Sequence, residues 1–288
     1  MVHRANGVVL DDDFSANPDF VDTLAQSYGA PAVTVDLGGA EGTKVLDSWA
    51  DKHTGGLVPK SAIVPDPDLA LVLQDAIVMA APWETPFAAE LTQPQDFTLG
   101  DGTIVSVDMM DTVRERPVLY AKAQQWEIVR LPYVGGRLYA DVILPPLGTD
   151  LVDLTPELLQ ALLDALGDSK PVPVIVRMPI VEAKSKLNLL SYLGEKAPSS
   201  LEGGFGPMGS AGLYISQAWQ QGVLKVNEEG TLAAAVTEIG FDSSAGDPAT
   251  ITFEVNRPYL VRIADAQTAW PLFFAYVVDP RDRSADSS

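Results

Sequence analysis

The chain contains no cysteine among its 288 residues. No disulfide can therefore stabilise the fold, and no thiolate is available as a nucleophile or a metal ligand. Stability must come from the packing of apolar side chains, and a hydrophobic content of 47% makes such packing possible. The lack of cysteine does not decide between an oxidising and a reducing compartment.

Histidine is almost as scarce, since only His3 and His53 occur. Neither has other ligand residues at metal-site spacing, so no metal site is predicted. The three consecutive carboxylates Asp11, Asp12 and Asp13 are better explained as a solvated turn. The sequence also lacks the G-x-S-x-G motif of hydrolases and any phosphate-binding glycine motif. We therefore expect neither an enzyme nor a cofactor.

Basic residues are few: 19 Lys and Arg stand against 39 Asp and Glu, which gives a formal net charge of −20. Without a basic stripe to displace counterions from phosphates, no nucleic-acid partner is expected. No stretch approaches the roughly 18 uncharged apolar residues of a membrane helix, so no membrane partner is expected either. The opening MVHRANGVVL lacks the apolar core and cleavage site of a signal peptide, which keeps a cytoplasmic location open.

The sequence does contain a succession of regular elements without a Ser- or Gly-rich linker, which favours one large domain. Three segments have helical periodicity: 17–29, 41–56 and 155–166. In the first of them Phe20, Leu24 and Tyr28 share one face. In the third, Thr155 is a candidate N-cap.

Most of the remaining chain has the pattern of strands. Segment 69–83, LALVLQDAIVMAAPW, is apolar enough for a strand that is buried on both faces at the middle of a sheet. Segment 212–230, GLYISQAWQQGVLKVNEEG, has the pattern of one long strand. The shorter strand-like segments are AVTVDL, TIVSVDMM, QQWEIVRLPYV, RLYADVILPP, VPVIVRMPIVEA, ATITFEVNRPYLVRIAD and AWPLFFAYVVDP. The predicted class is α+β with large, mostly antiparallel sheets.

After Gly230 the sequence becomes TLAAAVTEIGF. Its first side chains are too small for a packed strand, and it has too few turn residues for an ordinary loop. In an extended strand, alternate residues face the same side. One set is uncharged and grows from small to large: Thr231, Ala233, Ala235, Thr237, Ile239 and Phe241. This set could enter a core without burying an unpaired charge, and Gly230 supplies a swivel at its base.

The last third of the chain resembles the serpins, a family of protease inhibitors that work by changing conformation. GLYISQAWQQGVLKVNEEGTLAAAVT is similar to the fifth strand of the family's main sheet and the hinge of its reactive-centre loop. FEVNRPYLVRI resembles the signature after the loop, with Tyr259 where Phe is usual. PLFFAYVVDP resembles the closing strand, with Ala275 where Gly is usual. The segments LDSWADKHTGG, LALVLQDAIVMAAPWETPF, VSVDMM, LPYVGGRLYADVILP and VIVRMPIVEAKSKLNLLSYL fit earlier parts in order.

The resemblance implies a serpin-like α+β fold, with a large, mostly antiparallel main sheet, two smaller sheets and packed helices. It implies one domain over residues 1–280 and a disordered acidic tail over 281–288. RANGVVL resembles the second main-sheet strand, so the family's first four helices and a strand of its second sheet have no counterpart in the chain. An apolar face should therefore be bare, and we expect it to favour self-association or another partner.

The resemblance also implies a mechanism. A serine protease cleaves the loop and becomes acyl-linked to it, and the loop then inserts into the main sheet as a new strand. The implied hinge comprises Glu228, Glu229, Gly230, Thr231, Ala233, Ala234 and Ala235. Leu232 stands where inhibitory relatives usually have Glu. Trp83 matches the tryptophan where the loop enters the sheet, and Asp75 and Gln220 occupy the shutter positions, where the family usually pairs Asn with His.

The scissile bond is less defined. Counting forward from the hinge gives Ser244-Ala245, whereas counting back from VNRP gives a bond near residues 247 and 248. The candidates are Phe241, Ser243, Ser244 and Ala245. The scissile bond therefore lies between Phe241 and Asp247. No Lys or Arg occurs in this range, so we expect an elastase-, subtilisin- or chymotrypsin-like target and not a trypsin-like one. The resemblance also implies an extracellular location.

Three interpretations of the missing front remain open. The chain is an inhibitor whose start is wrongly assigned or truncated; or it keeps the fold and is a non-inhibitory remnant or binding module that proteases cleave as a substrate; or it completes its core with a partner or a second copy. A hydrolase is disfavoured because no nucleophile–base pair is present.

Overall fold

A computed structural model describes residues 2–112, 115–209, 212–231 and 250–281. The helices are α1 Pro18–Tyr28, α2 Ala40–Thr54, α3 Pro156–Gly167, α4 Leu190–Lys196 and α5 Ser199–Glu202. The first eight strands are β1 Val2–Leu10, β2 Ala32–Thr34, β3 Leu71–Met79, β4 Ala81–Pro82, β5 Gln93–Thr98, β6 Ile104–Asp111, β7 Arg116–Ala123 and β8 Trp126–Pro132. The others are β9 Leu138–Leu144, β10 Val172–Pro179, β11 Val181–Asn188, β12 Trp219–Asn227, β13 Gly230–Thr231, β14 Ile251–Glu254, β15 Tyr259–Asp265 and β16 Pro271–Val277.

The described chain divides into two compact units. One contains residues 2–79 and 184–223, and the other contains residues 80–183 and 224–281. The expectation of a single domain stays a prediction, as does the disordered tail, which lies outside the described residues except for Arg281.

The first unit is built on a three-stranded sheet of order β2-β1-β3. Strand β1 pairs in parallel with β2 and antiparallel with β3. Helix α2 packs Leu46 into a cluster with Val9, Leu37, Leu69 and Val72. Burial of these side chains provides the apolar driving force of this unit.

The caps of the predicted helices are as the sequence indicates. The Asn17 side chain accepts a hydrogen bond from the Asp19 amide, and Gly29 ends α1 in the left-handed conformation. The Thr155 side chain accepts from the Leu158 amide at the start of α3. The predicted apolar face of α1 is only partly used, because Leu24 packs on a small cluster while Tyr28 stays exposed.

The second unit contains a nine-stranded sheet of order β16-β15-β9-β8-β7-β10-β6-β5, with β14 paired to β10. Every pairing in it is antiparallel except β10–β14. Helix α3 covers one face with Leu158, Leu162 and Leu166, which pack against Trp126 and Ile128. This cluster is one apolar core of the unit.

A second sheet has the order β11-β12-β13-β4. The short strand β13 pairs antiparallel with β12 on one side and with β4 on the other. This arrangement places the beginning of the TLAAAVT stretch inside a sheet.

Two sequence expectations about strands need correction. Strand β3 is not buried on both faces in the middle of a sheet: it is an outer strand of its three-stranded sheet, and Leu73 is 53% exposed because only the Val72 face is covered by α2. The long strand expected from residue 212 begins only at Trp219, since its neighbour β11 ends at Asn188. Among the described residues, no helix has the length and apolarity required to span a membrane.

Candidate functional site

The chain reverses direction immediately after β12, in a turn that Asn227 holds. Its side-chain oxygen accepts hydrogen bonds from the amides of Glu229 at 3.2 Å and Gly230 at 3.1 Å. An Asn side chain that bonds the backbone two or three residues further on is a common way to fix a tight turn. The turn directs Gly230 and Thr231 back along β12 as β13, with Thr231 opposite Val226.

Gly230 makes a close backbone approach that only glycine permits. In the register of β13 with β4, Gly230 lies opposite Pro82 and Thr231 opposite Ala81. A Cβ atom on Gly230 would overlap the Ala81 carbonyl oxygen and lie 2.7 Å from the Pro82 Cα atom. Its φ of 154° is also one that residues with side chains rarely adopt.

Trp83 fixes the other side of the turn. Its amide donates to the Glu229 carbonyl at 2.8 Å, and its indole Nε1 donates to the Asn227 carbonyl at 3.1 Å. The buried indole stacks on the Tyr133 ring, with centroids 4.4 Å apart. The Tyr133 hydroxyl shares a 2.6 Å hydrogen bond with Thr231 Oγ1.

Burial is the main influence on the pKa of the Tyr133 hydroxyl beside Thr231. Thr231 is 4% exposed and Tyr133 1% exposed, and burial raises the pKa of the Tyr133 hydroxyl above its ordinary value. The phenol therefore stays neutral at physiological pH and can bond to the threonine hydroxyl without an ionic cost. The first buried side chain after Gly230 is thus small and uncharged, and its hydroxyl is hydrogen-bonded.

Glu228 is tied to the segment that follows β4. Its carbonyl accepts from the Phe87 amide at 2.9 Å, and its carboxylate accepts from Thr92 Oγ1 at 2.6 Å. Phe87 lies under the guanidinium of Arg116 at 4.4 Å, and Arg116 Nη1 donates to the Thr85 carbonyl at 2.6 Å. Burial lowers the pKa of Arg116 to about 10, which still leaves it cationic at neutral pH.

The structure therefore brings together Trp83 and the described part of the predicted hinge, Glu228 to Thr231. Tyr133, Phe87, Thr92 and Asn227 complete the site and were not among the sequence candidates. The only sequence signal for Tyr133 was its place in the LPYVGG segment that resembled the family. Thr92 carried no signal, because a lone threonine in a polar stretch has many explanations. The hinge residues Ala233, Ala234 and Ala235 and the scissile-bond candidates Phe241, Ser243, Ser244 and Ala245 lie outside the described residues.

The two shutter positions are not joined by a hydrogen bond. The Asp75 carboxylate instead accepts from Arg4 Nε at 3.0 Å, and both side chains are largely exposed. Gln220 is an exposed residue of β12. A locking role for this pair stays a prediction.

Comparison with known proteins identifies the class. Residues 1–280 match the family model described as "Serpin (serine protease inhibitor)", and the chain belongs to the serpin family. Its family is one of protease inhibitors, which confirms the prediction that the chain is not an enzyme.

Individual relatives agree with this assignment. The chain is 30% identical to sheep (Ovis aries) antithrombin-III over 297 residues. The alignment covers 96% of this chain but only 62% of that relative. It is 30% identical to the leukocyte elastase inhibitor of Xenopus tropicalis over 298 residues, with 97% of this chain and 77% of that one covered. The native structure of the thermophilic serpin tengpin superposes with a TM-score of 0.85 at 22% identity, covering 96% and 73% of the two chains. The fold is therefore the α+β serpin fold.

Proposed function

We propose that the chain inhibits serine proteases as a suicide substrate, by inserting the segment after Thr231 into the sheet beside β12. The supporting observation is that β13 pairs on both sides, with β12 and with β4. Its backbone donors and acceptors are those of an inner strand, and its buried side chain is small and uncharged. A strand that begins inside a sheet can be extended at little desolvation cost if the next inward residues are also small.

The sequence between residues 241 and 247 determines the proposed target class. It holds Phe241, Ser243, Ser244 and Ala245 and no Lys or Arg. We therefore propose elastase-, subtilisin- or chymotrypsin-like proteases as targets. Leukocyte elastase inhibitor is among the relatives, which supports the first of these.

The direct test is incubation of the chain with one protease of each class and with trypsin. We expect a complex of summed mass that resists heat and detergent with at least one of the first three, and none with trypsin. Mass spectrometry of the released fragment identifies the scissile bond. Cleavage within residues 241–247 without any stable complex contradicts inhibition.

A hinge variant tests whether insertion is the step that traps the protease. Thr231 already lies inside the sheet, so the test uses the next residue of the same alternating set. Ala233→Arg places an unpaired charge where the proposed insertion would bury it, which costs several kcal/mol. We expect the variant to be cleaved at the same bond without forming the stable complex. Ala234→Arg, in the other alternating set, is the matched control, and complex formation should persist. If Ala233→Arg traps protease as well as wild type, the insertion mechanism is wrong.

The second candidate function is that of a non-inhibitory binding protein, which proteases cleave as an ordinary substrate. Leu232, which stands where inhibitory relatives usually have Glu, supports this alternative. Simple cleavage in the protease incubation would select it. An extracellular location stays a prediction from the resemblance.

A further inference from the structure

Residues 57–68, which we call the strap, connect α2 to β3 in the first unit. The Ser61 amide donates to the Asp47 carboxylate on α2 at 2.8 Å. The Ile63 side chain packs against the apolar cluster that contains Leu46. The middle of the strap is therefore attached to the helix that precedes it.

The next residue of the strap is attached to a different part of the same unit. The Val64 amide donates to Gln217 Oε1 at 2.8 Å, and Gln217 Nε2 donates back to the Val64 carbonyl at 2.7 Å. A side-chain amide carries both an acceptor and a donor, so it satisfies both backbone groups of Val64 as a neighbouring strand would. We call this pair of hydrogen bonds the Gln217 clamp.

Gln217 lies two residues before β12, on the path that the proposed insertion would follow. Strand β13 pairs with β12 so that Thr231 lies opposite Val226. Each further residue that continues this antiparallel pairing lies opposite a residue one position earlier in β12. The inserted segment therefore reaches Gln217 nine residues after Thr231, because Gln217 is nine residues before Val226.

The strap belongs to the chain on the other side of that path. It leads into β3, which continues after Ala80 as β4, and β4 is the second neighbour of β13. A new strand separates its two neighbours by about 4.8 Å more on each side. Hydrogen bonds of 2.7–2.8 Å cannot lengthen by that amount and persist.

We propose that the Gln217 clamp is a latch, which holds the strap to the start of β12 and must open before a strand can fill the length of β12. Gln217 is then a positioning residue that sets the rate of insertion. This inference rests on the proposed function, because it assumes insertion beside β12.

The exposure of the clamp sets the size of the expected effect. Val64 is 59% exposed, so water can replace both hydrogen bonds when the latch opens. Two exposed hydrogen bonds at the weak end of the usual range correspond to about a fivefold change in a rate. The latch therefore slows insertion without preventing it.

The first experiment measures insertion without a protease. A fluorescent synthetic peptide with the sequence of residues 232–241, LAAAVTEIGF, is added to the intact chain, and its uptake is followed by fluorescence anisotropy. We expect Gln217→Ala to take up the peptide about five times faster than the wild type. Gln221→Ala is the matched control, because Gln221 is an exposed glutamine within β12, and its uptake should equal that of the wild type.

An isosteric variant separates hydrogen bonding from packing. Gln217→Glu keeps the size of the side chain but loses the donor and places a carboxylate against the Val64 carbonyl. We expect it to take up the peptide as fast as Gln217→Ala. Uptake at the wild-type rate by Gln217→Glu would show that only the bulk of the side chain matters, which contradicts the latch.

A second readout excludes a general loss of stability. Leu24→Ala removes an apolar contact of α1 in the same unit and does not touch the clamp. Hydrogen exchange of the Val64 amide should be faster than in the wild type for both Gln217 variants and unchanged for Leu24→Ala. Acceleration of peptide uptake by Leu24→Ala to the same extent as by Gln217→Ala overturns the proposal.

The outcomes also separate the latch from the proposed function. Peptide uptake in the expected order of rates, without a stable complex in the protease incubation, would support the latch and contradict inhibition. A stable protease complex, with equal peptide uptake by the wild type and both Gln217 variants, would support inhibition and contradict the latch. Absence of uptake by every variant also contradicts the latch.

Discussion

Two buried tyrosines in the second unit, Tyr133 and Tyr259, differ in the hydrogen bonding of their hydroxyl groups. The Tyr133 hydroxyl bonds to Thr231 Oγ1, whereas the Tyr259 hydroxyl has no hydrogen-bond partner in the part of the chain that the structure describes. Both rings are almost completely buried. A buried hydroxyl without a partner costs about 1–3 kcal/mol, and a partnered one stabilises the fold modestly.

The same substitution should therefore have opposite effects at these two residues. Tyr259→Phe removes an unsatisfied hydroxyl and should raise the free energy of unfolding by about 1 kcal/mol. Tyr133→Phe leaves the Thr231 hydroxyl unpaired and should lower it by about 1–3 kcal/mol. Urea denaturation of the two variants and the wild type measures both effects. Destabilisation by Tyr259→Phe would mean that its hydroxyl has a partner after all.

The sequence alone could single out Tyr259 but not its consequence. The resemblance marked it as a tyrosine where the family usually has phenylalanine. Whether the added hydroxyl finds a partner depends on side chains that converge from other strands. A local pattern contains no information about them.

At the scale of elements, one carboxylate joins three adjacent strands of the nine-stranded sheet. Asp141 on β9 is completely buried and accepts two hydrogen bonds from Arg130 on β8, at 2.7 and 3.0 Å. It also accepts one from Arg262 Nη1 on β15, at 2.8 Å. Two partly or wholly buried cations therefore share one anion across three neighbouring strands.

Removing the negative charge of Asp141 should lower the stability of the fold. Asp141→Asn leaves the guanidinium groups of Arg130 and Arg262 without a counterion, so we expect a loss of about 3 kcal/mol in the free energy of unfolding. Asp75→Asn is the matched control, because it breaks a single ion pair with Arg4 that is largely exposed. That change should cost less than about 1 kcal/mol. Equal effects in chemical denaturation would refute the argument.

The elements themselves were predictable where local signals are strong. Helices α1, α2 and α3 begin and end close to where the caps and periodicity indicate, because capping is a contact between near neighbours in sequence. Strand β3 was expected at the centre of a sheet and lies at an edge. Its apolar sequence is compatible with burial on both faces. Its position in the sheet, however, depends on which distant segments pair with it. Strands β5 and β7 were not predicted, since their polar and proline residues obscure the alternation.

At the scale of the whole molecule, the hinge also depends on contacts that the local sequence cannot predict. Its small uncharged residues and Gly230 were recognisable after a buried strand. Its partners were not, because Tyr133 and Thr231 are 98 residues apart and Thr92 and Glu228 are 136 apart. Contacts over such separations follow from the complete topology of the sheets.

Alkaline pH should destabilise the molecule through its buried phenols. Burial raises the pKa of Tyr259 and of Tyr133 above the ordinary value of about 10. Burial and the hydrogen bond to Glu127 raise the pKa of Tyr120 to about 12. These three groups stay neutral in the folded chain while they ionise in the unfolded chain above about pH 10. Their contribution to stability is therefore complete below that pH and is lost as the pH rises through the folded pKa values.

The loss can be assigned to single residues. Between about pH 10 and 11, each phenol that ionises only in the unfolded state should lower the free energy of unfolding by up to about 1.4 kcal/mol per pH unit. Tyr259→Phe removes one such proton, so its stability should fall less steeply with pH than that of the wild type. Urea denaturation at a series of pH values gives the two slopes, and tyrosinate absorbance reports whether ionisation coincides with unfolding. Parallel curves for the variant and the wild type would show that Tyr259 ionises within the folded chain, and that its burial does not control alkaline stability.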